Sequence, residues 1–215
     1  MDPDNGTSPP LANVTTLVLA GGLGSRLGLD IPKVLAPIGP QRQPLLSVQL
    51  HRLKKFGSRR VALLLAHKSE VIDDALDTEQ FIPDGLEIIL SVELKPTGTA
   101  GAVRHAWAHY PIGPTVLVMN GDTLVDVDPN ELVSTHYSGH AQASVLYTQE
   151  GNLDTGMRVL SPSALSLVSR TPGTLLEDVL SAFALNKVVG DCRFLDIGTP
   201  ERLELASTFL KEMKT

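Results

Sequence analysis

Short apolar runs recur along the chain, separated by longer stretches whose apolar positions return every three or four residues. The runs are residues 14–20 (VTTLVLA), 61–66 (VALLLA), 86–92 (LEIILSV), 115–120 (TVLVMN) and 143–147 (ASVLY). Each predicts a strand. Between the first two, residues 45–56 set Leu45, Leu46, Val48, Leu50 and Leu53 close to one helical face, which predicts a helix. Residues 68–76, 99–110 and 129–137 are further helix candidates. Strands that are apolar nearly throughout are covered on both faces, and their alternation with helices makes the sheet mostly parallel. The pattern predicts an α/β fold, a Rossmann-like three-layer sandwich around a mostly parallel mixed sheet. Beyond residue 147 it loosens. Residues 157–160 predict a short strand, 163–169 and 175–184 helices, and 193–196 a strand. Thr199 and Pro200 then have the chemistry of an N-cap and a first helical residue for a last helix through Lys211.

Composition narrows the classes without choosing one. A chain of 215 residues with 42% hydrophobic and 20% charged residues is long enough for one well-buried core. No apolar run approaches the ~20 residues of a membrane-spanning helix, so no membrane partner is expected. Residues 1–12 are polar and proline-rich, with neither a positive start nor an apolar core, and are expected to be a disordered leader rather than a signal peptide. The single Cys192 cannot form an internal disulfide, which fits a cytoplasmic chain. No His pair at i, i+4 carries an adjacent glutamate of the zinc-protease kind. The net charge of −6 excludes a general nucleic-acid binder, which needs a basic face. It leaves a nucleotide open, since a triphosphate needs only a few local cations and a metal ion.

Candidate chemistry begins where the first strand ends. Leu19-Ala20-Gly21-Gly22-Leu23-Gly24-Ser25-Arg26 runs from strand into a glycine-rich turn, and Lys33 follows seven residues after Arg26. Small residues at such a turn let unpaired backbone N–H groups approach phosphate oxygens, and Arg26 and Lys33 add full positive charges. Two better-known phosphate loops fail on spacing. No Gly-Lys-Ser/Thr ending is present, and counting G-x-G-x-x-G from Gly22 and Gly24 puts Leu27 where the third glycine belongs. A dinucleotide-dependent oxidoreductase is disfavoured for that reason. Further along, Asn120-Gly121-Asp122 closes the strand TVLVMN, a place where an aspartate can hold Mg²⁺ against a phosphate or make an Asx-turn. Lys95-Pro96-Thr97-Gly98-Thr99 follows LEIILSV, and Asp196 sits in Phe194-Leu195-Asp196-Ile197-Gly198-Thr199-Pro200. In open α/β sheets, ligands bind beyond the carboxyl ends of the strands, and every one of these motifs lies at such an end.

These residues resemble the sugar-phosphate nucleotidylyltransferases. Leu19 to Leu27 match their L-A-G-G-x-G-[ST]-R-L signature without a gap, and Pro32-Lys33 supply its P-K. The resemblance implies a GT-A-like nucleotidyltransferase fold and a single domain over residues 13–215. Residues 13–147 would be the nucleotide-binding part and 148–215 a shortened sugar-binding part. It implies a nucleoside triphosphate and a sugar 1-phosphate as partners, Mg²⁺ as cofactor and an NDP-sugar with pyrophosphate as products; a homo-oligomer is left open. Arg26, Lys33 and Asp122 would be catalytic, and Asp122 with Asp196 would hold the metal. The nucleotide would be held by Leu19, Ala20, Gly21, Gly22, Gly24, Ser25, Arg26, Lys33, Pro96, Gly98, Thr99, Asn120 and Gly121. The short heptose 1-phosphate and mannose 1-phosphate guanylyltransferases are the nearest in pattern. Other bases on hexose 1-phosphates, and a catalytically weak nucleotide-binding regulatory subunit, are the alternatives.

The chain departs from that family after Tyr147, where the usual Glu-Lys-Pro element of the sugar site is missing. Asp154-Thr155-Gly156 stands where relatives carry Asn-Ala-Gly, and aspartate accepts hydrogen bonds but donates none. Asp154, Gly156 and Glu177 are the expected sugar-binding residues, with Arg158, Lys187 and Arg193 as candidates for the missing cation.

Overall fold

The strand that carries the glycine-rich turn, β1 (Thr15–Leu19), runs through the middle of the molecule. The structure is a computed structural model that describes residues 10–22, 27–171, 175–181 and 185–213. After β1 come β2 (Pro37–Ile38), β3 (Gln43–Pro44), α1 (Leu45–Lys55), β4 (Arg60–Leu65), α2 (Ser69–Leu76), β5 (Glu87–Val92) and α3 (Gly98–His109). β6 (Val116–Asn120), β7 (Thr123–Asp126), α4 (Pro129–Ser138), β8 (Ala143–Thr148) and β9 (Asp154–Leu160) follow. The chain closes with α5 (Pro162–Arg170), α6 (Leu176–Ser181), β10 (Leu185–Gly190), β11 (Arg193–Asp196) and α7 (Pro200–Glu212).

Seven strands form the main sheet in the order β10-β8-β9-β6-β1-β4-β5. β1 pairs in parallel with both β4 and β6, and β9 alone runs antiparallel to its neighbours. Along each central strand successive residues bury on opposite faces. Val18, Leu63, Leu65 and Leu117 pack toward α1, α2 and α4, whereas Leu17, Ala62, Leu64 and Val118 pack toward α3, α5 and α6. This two-sided burial is the physical reason the strands read as unbroken apolar runs, and the mostly parallel, three-layer expectation is met. A third, smaller core joins Ile38, Leu45, Leu124 and Ile197 to Ala206 of α7.

The expected helices appear within a residue or two of their expected bounds, except that the helix expected over 175–184 is described only as Leu176–Ser181, residues 182–184 lying outside the described residues. Thr199 caps α7 by accepting from the Arg202 amide with Pro200 in its first turn. Four strands were not expected. β2 and β3 are two residues each, β7 is a four-residue run, and β10 alternates exposure as an edge strand does; none carries a long apolar run. β9 begins at Asp154 rather than 157, because its polar first residues pair with the end of β8. Residues 1–9 lie outside the described residues, but residues 10–12, expected to belong to a disordered leader, are ordered. Pro10–Asn13 form a 3-10 turn with Leu11 wholly buried, and the Leu11 amide donates to Asn130 Oδ1 at 2.9 Å.

Candidate active site

β1 leads to one side of the sheet, through β4 and β5, and β6 leads to the other, so their carboxyl ends flank a crevice. A strand-order reversal of this kind leaves room for a ligand because the two connecting loops diverge. A cleft of about 350 Å³ occupies it, lined by Leu19, Ala20, Gly21 and Gly22 after β1, Pro96, Gly98 and Thr99 at α3, and Asn120 and Asp122 after β6. The glycine at 121 is a packing requirement. Its amide donates to the Leu19 carbonyl at 2.9 Å, and a Cβ there would lie 2.6 Å from that same oxygen. Gly121 therefore lets the ends of β1 and β6 close on each other, and it is not among the residues lining the cleft.

Asp122 and Asp196, far apart in sequence, meet through β7 and β11. These strands pair antiparallel with Thr123 opposite Asp196, and the Ile197 amide donates to the Asp122 carbonyl at 2.8 Å. Lys33 reaches in from a 3-10 turn (Lys33–Leu35) between them. Its Nζ donates to Asp122 Oδ2 at 2.6 Å and to Asp196 Oδ1 at 3.4 Å. The lysine is 15% exposed and the carboxylates 36% and 38%, so the triad is open to ligand from the carboxylate side. Arg202, one turn into α7, donates to Asp196 Oδ2 at 2.9 Å. Beneath the β6–β7 turn, buried Gln49 donates to the Thr123 carbonyl at 2.9 Å and holds it in place.

A second cavity, of about 270 Å³, shares Lys33, Asn120 and Asp122 with the first and adds Asp154, Thr155, Asp196 and Gly198. Gly156 has a φ of +82°, and a Cβ there would lie 2.5 Å from Asn120 Nδ2, so glycine lets the Asn120 side chain seat against β9. Arg158, two residues on, is 2% exposed. Its Nη2 donates to Asp154 Oδ2 at 2.8 Å and to Glu177 Oε1 at 3.1 Å. Glu177 itself lines the first cleft. At the start of α3, Thr97 donates to buried Glu93, and Thr99 Oγ1 accepts from the Leu176 amide at 2.7 Å, tying this loop to α6. The Lys68 ammonium, bonded to Asp30, holds that exposed carboxyl below the usual carboxylate range.

The expected site residues thus gather at one end of the sheet, with two qualifications. Gly24, Ser25 and Arg26 lie outside the described residues. Gly121 supports the crevice instead of lining it. Of the three candidate cations, Lys187 stacks over the Tyr147 ring and Arg193 pairs with Asp126 and Glu212, so neither faces the two cavities. Arg158 does reach the site, but its Nη2 is already shared by two carboxylates. Gln49 and Arg202 escaped the sequence reading. Gln49 sits on the buried face of α1, where a lone glutamine among leucines is the available signal, and Arg202 offers none beyond its place after the Thr199 cap.

Nucleotidyl transferase is the family whose pattern matches residues 15–154. The chain belongs to this family of sugar-phosphate nucleotidylyltransferases, and among the described residues Leu19, Ala20, Gly21, Gly22 and Lys33 of the expected signature line its cleft. It is 38% identical over 119 residues to the D-glycero-alpha-D-manno-heptose 1-phosphate guanylyltransferase of Campylobacter jejuni, a match spanning 54% of this chain and 51% of that one. To the enzyme of the same name from Aneurinibacillus thermoaerophilus it is 27% identical over 220 residues, 86% of this chain and 93% of that one. The fold is also that of HddC from Yersinia pseudotuberculosis, solved in complex with GMP-PN. That structure superposes with a TM-score of 0.77 at 23% identity, over 92% of this chain and 99% of HddC.

Proposed function

We propose that this chain makes an NDP-sugar and pyrophosphate from a nucleoside triphosphate and a sugar 1-phosphate, with GTP and a heptose or mannose 1-phosphate as substrates. The observation that carries the reading is the Lys33 ammonium set between Asp122 and Asp196 at the crevice between β1 and β6. The names of the two guanylyltransferases above support the choice of base and sugar.

A sugar 1-phosphate is already an anion near neutral pH, so its oxygen needs no general base. That oxygen bonds to the α-phosphorus as the bond from α-phosphorus to the β-phosphate oxygen breaks, and the electron pair leaves with pyrophosphate. The obstacles are repulsion between two polyanions and the in-line geometry, both met by positioning and charge. The amides of Gly21 and Gly22, with Arg26, hold the β- and γ-phosphates. Lys33 neutralises charge at the α-phosphate. Pro96, Gly98 and Thr99 pack the base, and Asp154 and Glu177 accept from the sugar.

Asp122 and Asp196 are the residues that would hold Mg²⁺. The fit rests on their chemistry: both are hard oxygen donors, both are partly open, and both already face positive charge, Lys33 at each and Arg202 as well at Asp196. Among the described residues no group of three or more His, Cys, Asp or Glu could hold a metal. Two carboxylates suffice for Mg²⁺ where substrate phosphates and water complete the shell. Bound there, Mg²⁺ supplies charge neutralisation between the two phosphates. Among the described residues no helix is long and apolar enough to cross a membrane. The single cysteine, Cys192, is buried and has no second cysteine in the chain with which to form an internal disulfide, which supports a cytoplasmic setting.

A pyrophosphate-release screen of the nucleoside triphosphates against heptose, mannose and glucose 1-phosphates tests the reading. Release from GTP with a heptose or mannose 1-phosphate is expected. Silence with every pair would favour a nucleotide-binding regulatory subunit instead.

A further inference from the structure

Arg158 occupies a position that sheet physics would assign to an apolar residue. On β9 it stands in register between Val118 of β6 and Val145 of β8. Its neighbours Met157 and Val159 belong to one core and Leu160 to the other, which places the Arg158 side chain on the α3, α5 and α6 face. A guanidinium there costs heavily unless it is paired and hydrogen-bonded. Only part of it is. Nη2 serves Asp154 and Glu177, while Nη1 is buried with no hydrogen-bond partner among the described residues.

A latch between β9 and α6 would not need this arrangement, because apolar residues of similar volume hold two elements together as well or better. The exposure runs the wrong way for a latch too. The cation is the hidden member, 3% exposed at its side chain, whereas Asp154 and Glu177 are 31% and 47% exposed. Glu177 opens onto one and Asp154 onto the other of the two adjoining cavities that share Lys33, Asn120 and Asp122. Asp154 is fixed further by accepting from the Gly156 amide through Oδ1 at 2.8 Å. One buried guanidinium therefore sets two acceptor-only groups, from two different elements, at fixed places beside the reacting centre.

We infer that Arg158 is the positioning residue that sets sugar specificity: it presents Asp154 and Glu177 as a rigid pair of acceptors for two hydroxyl groups of the sugar 1-phosphate. The inference rests on the transferase reading above. A neutral sugar carrying both hydroxyls satisfies the pair. A deoxy sugar leaves a carboxylate without its donor, and a uronate sets like charges together. Sites built around a substrate hydroxyl discriminate strongly against analogues lacking it, because the site's own polar group is left unpaired.

The test uses full-length wild type and the Arg158→Met, Arg158→Lys and Glu177→Gln variants. Pyrophosphate release is measured with the heptose or mannose 1-phosphate the screen selects, and with its monodeoxy and uronate analogues. Arg158→Met is expected to keep its melting temperature and raise the KM for sugar 1-phosphate about tenfold or more, with the KM for nucleotide held within about twofold. The preference for parent over deoxy sugar, about ten-thousandfold in wild type, should shrink by about a hundredfold or more. Arg158→Lys should recover part of both. Folded Arg158→Met with unchanged sugar KM and unchanged discrimination would overturn the inference while leaving the transferase reading intact. If Arg158→Met does not fold, Glu177→Gln decides: a raised sugar KM supports the inference and an unchanged one overturns it. Wild type that releases no pyrophosphate from any pair would overturn both.

Discussion

The two parts of the molecule on either side of residue 147 build their halves of the site from different materials. In residues 13–147 the cleft is mostly backbone and small side chains at the ends of parallel strands, and its geometry follows from strand pairing: Gly121 against the Leu19 carbonyl, Asn120 beside Leu19 in register. In residues 148–215 it is carboxylates held by side-chain cations: Asp154 and Glu177 by buried Arg158 on an antiparallel strand, and Asp196 by Arg202 and Lys33. A backbone site tolerates little change in shape and much in side chain. A side-chain site is the reverse, and substitutions should separate the two.

The largest effect belongs to Lys33, which touches carboxylates from both parts at the crevice itself. Lys33→Ala should lower kcat for pyrophosphate release by about a thousandfold, in the range seen when a preorganised charge-stabilising donor is lost. Steady-state kinetics at saturating substrates would show it; a drop under tenfold would mean the α-phosphate charge is met elsewhere.

Gly121→Ala should break the backbone half. A Cβ meets the Leu19 carbonyl at 2.6 Å and Val34 Cγ1 at 3.0 Å, and such overpacking costs about 3 kcal/mol. Gly156→Ala meets mainly the movable Asn120 side chain and a φ of +82°, and should cost nearer 2 kcal/mol. Urea unfolding of both would rank them, and the reverse order would undo the contrast between rigid backbone and adaptable side chains.

The pH dependence of stability sharpens the picture away from the site. Burial holds the protonation of His136, with Nδ1 3.0 Å from Ser144 Oγ, below histidine's usual 6.5. As pH falls below about 6.5 the unfolded chain takes up a proton that the folded chain refuses, so stability drops toward the lower folded value and is fully present above 6.5. Urea midpoints at pH 7.5 and 5.5 should therefore differ more in wild type than in His136→Asn. The smallest effect is Thr199→Ala, which removes the α7 cap and should cost about 1 kcal/mol, read as a lower melting temperature with sugar KM unchanged.

Much of the first part was legible because periodicity and glycine spacing are local. The runs that became β1, β4, β5 and β6 are apolar on both faces, and Leu19–Gly22, Lys33 and Asp122 stand at or beyond strand ends the pattern could place. The second part depends on pairing. Nothing in TLVD announces β7, yet β7 with β11 is what brings Asp196 to Asp122. Arg158 read as a possible phosphate ligand because a sequence does not show that Asp154 and Glu177 share its charge.

Pyrophosphate release by wild type and Asp122→Asn, followed as Mg²⁺ is lowered to limiting concentration, tests the central claim that Lys33, Asp122 and Asp196 form a nucleotidyl-transfer centre. The variant should need far more Mg²⁺ and lose turnover steeply where wild type still works. Equal turnover of the two at limiting Mg²⁺ would contradict it.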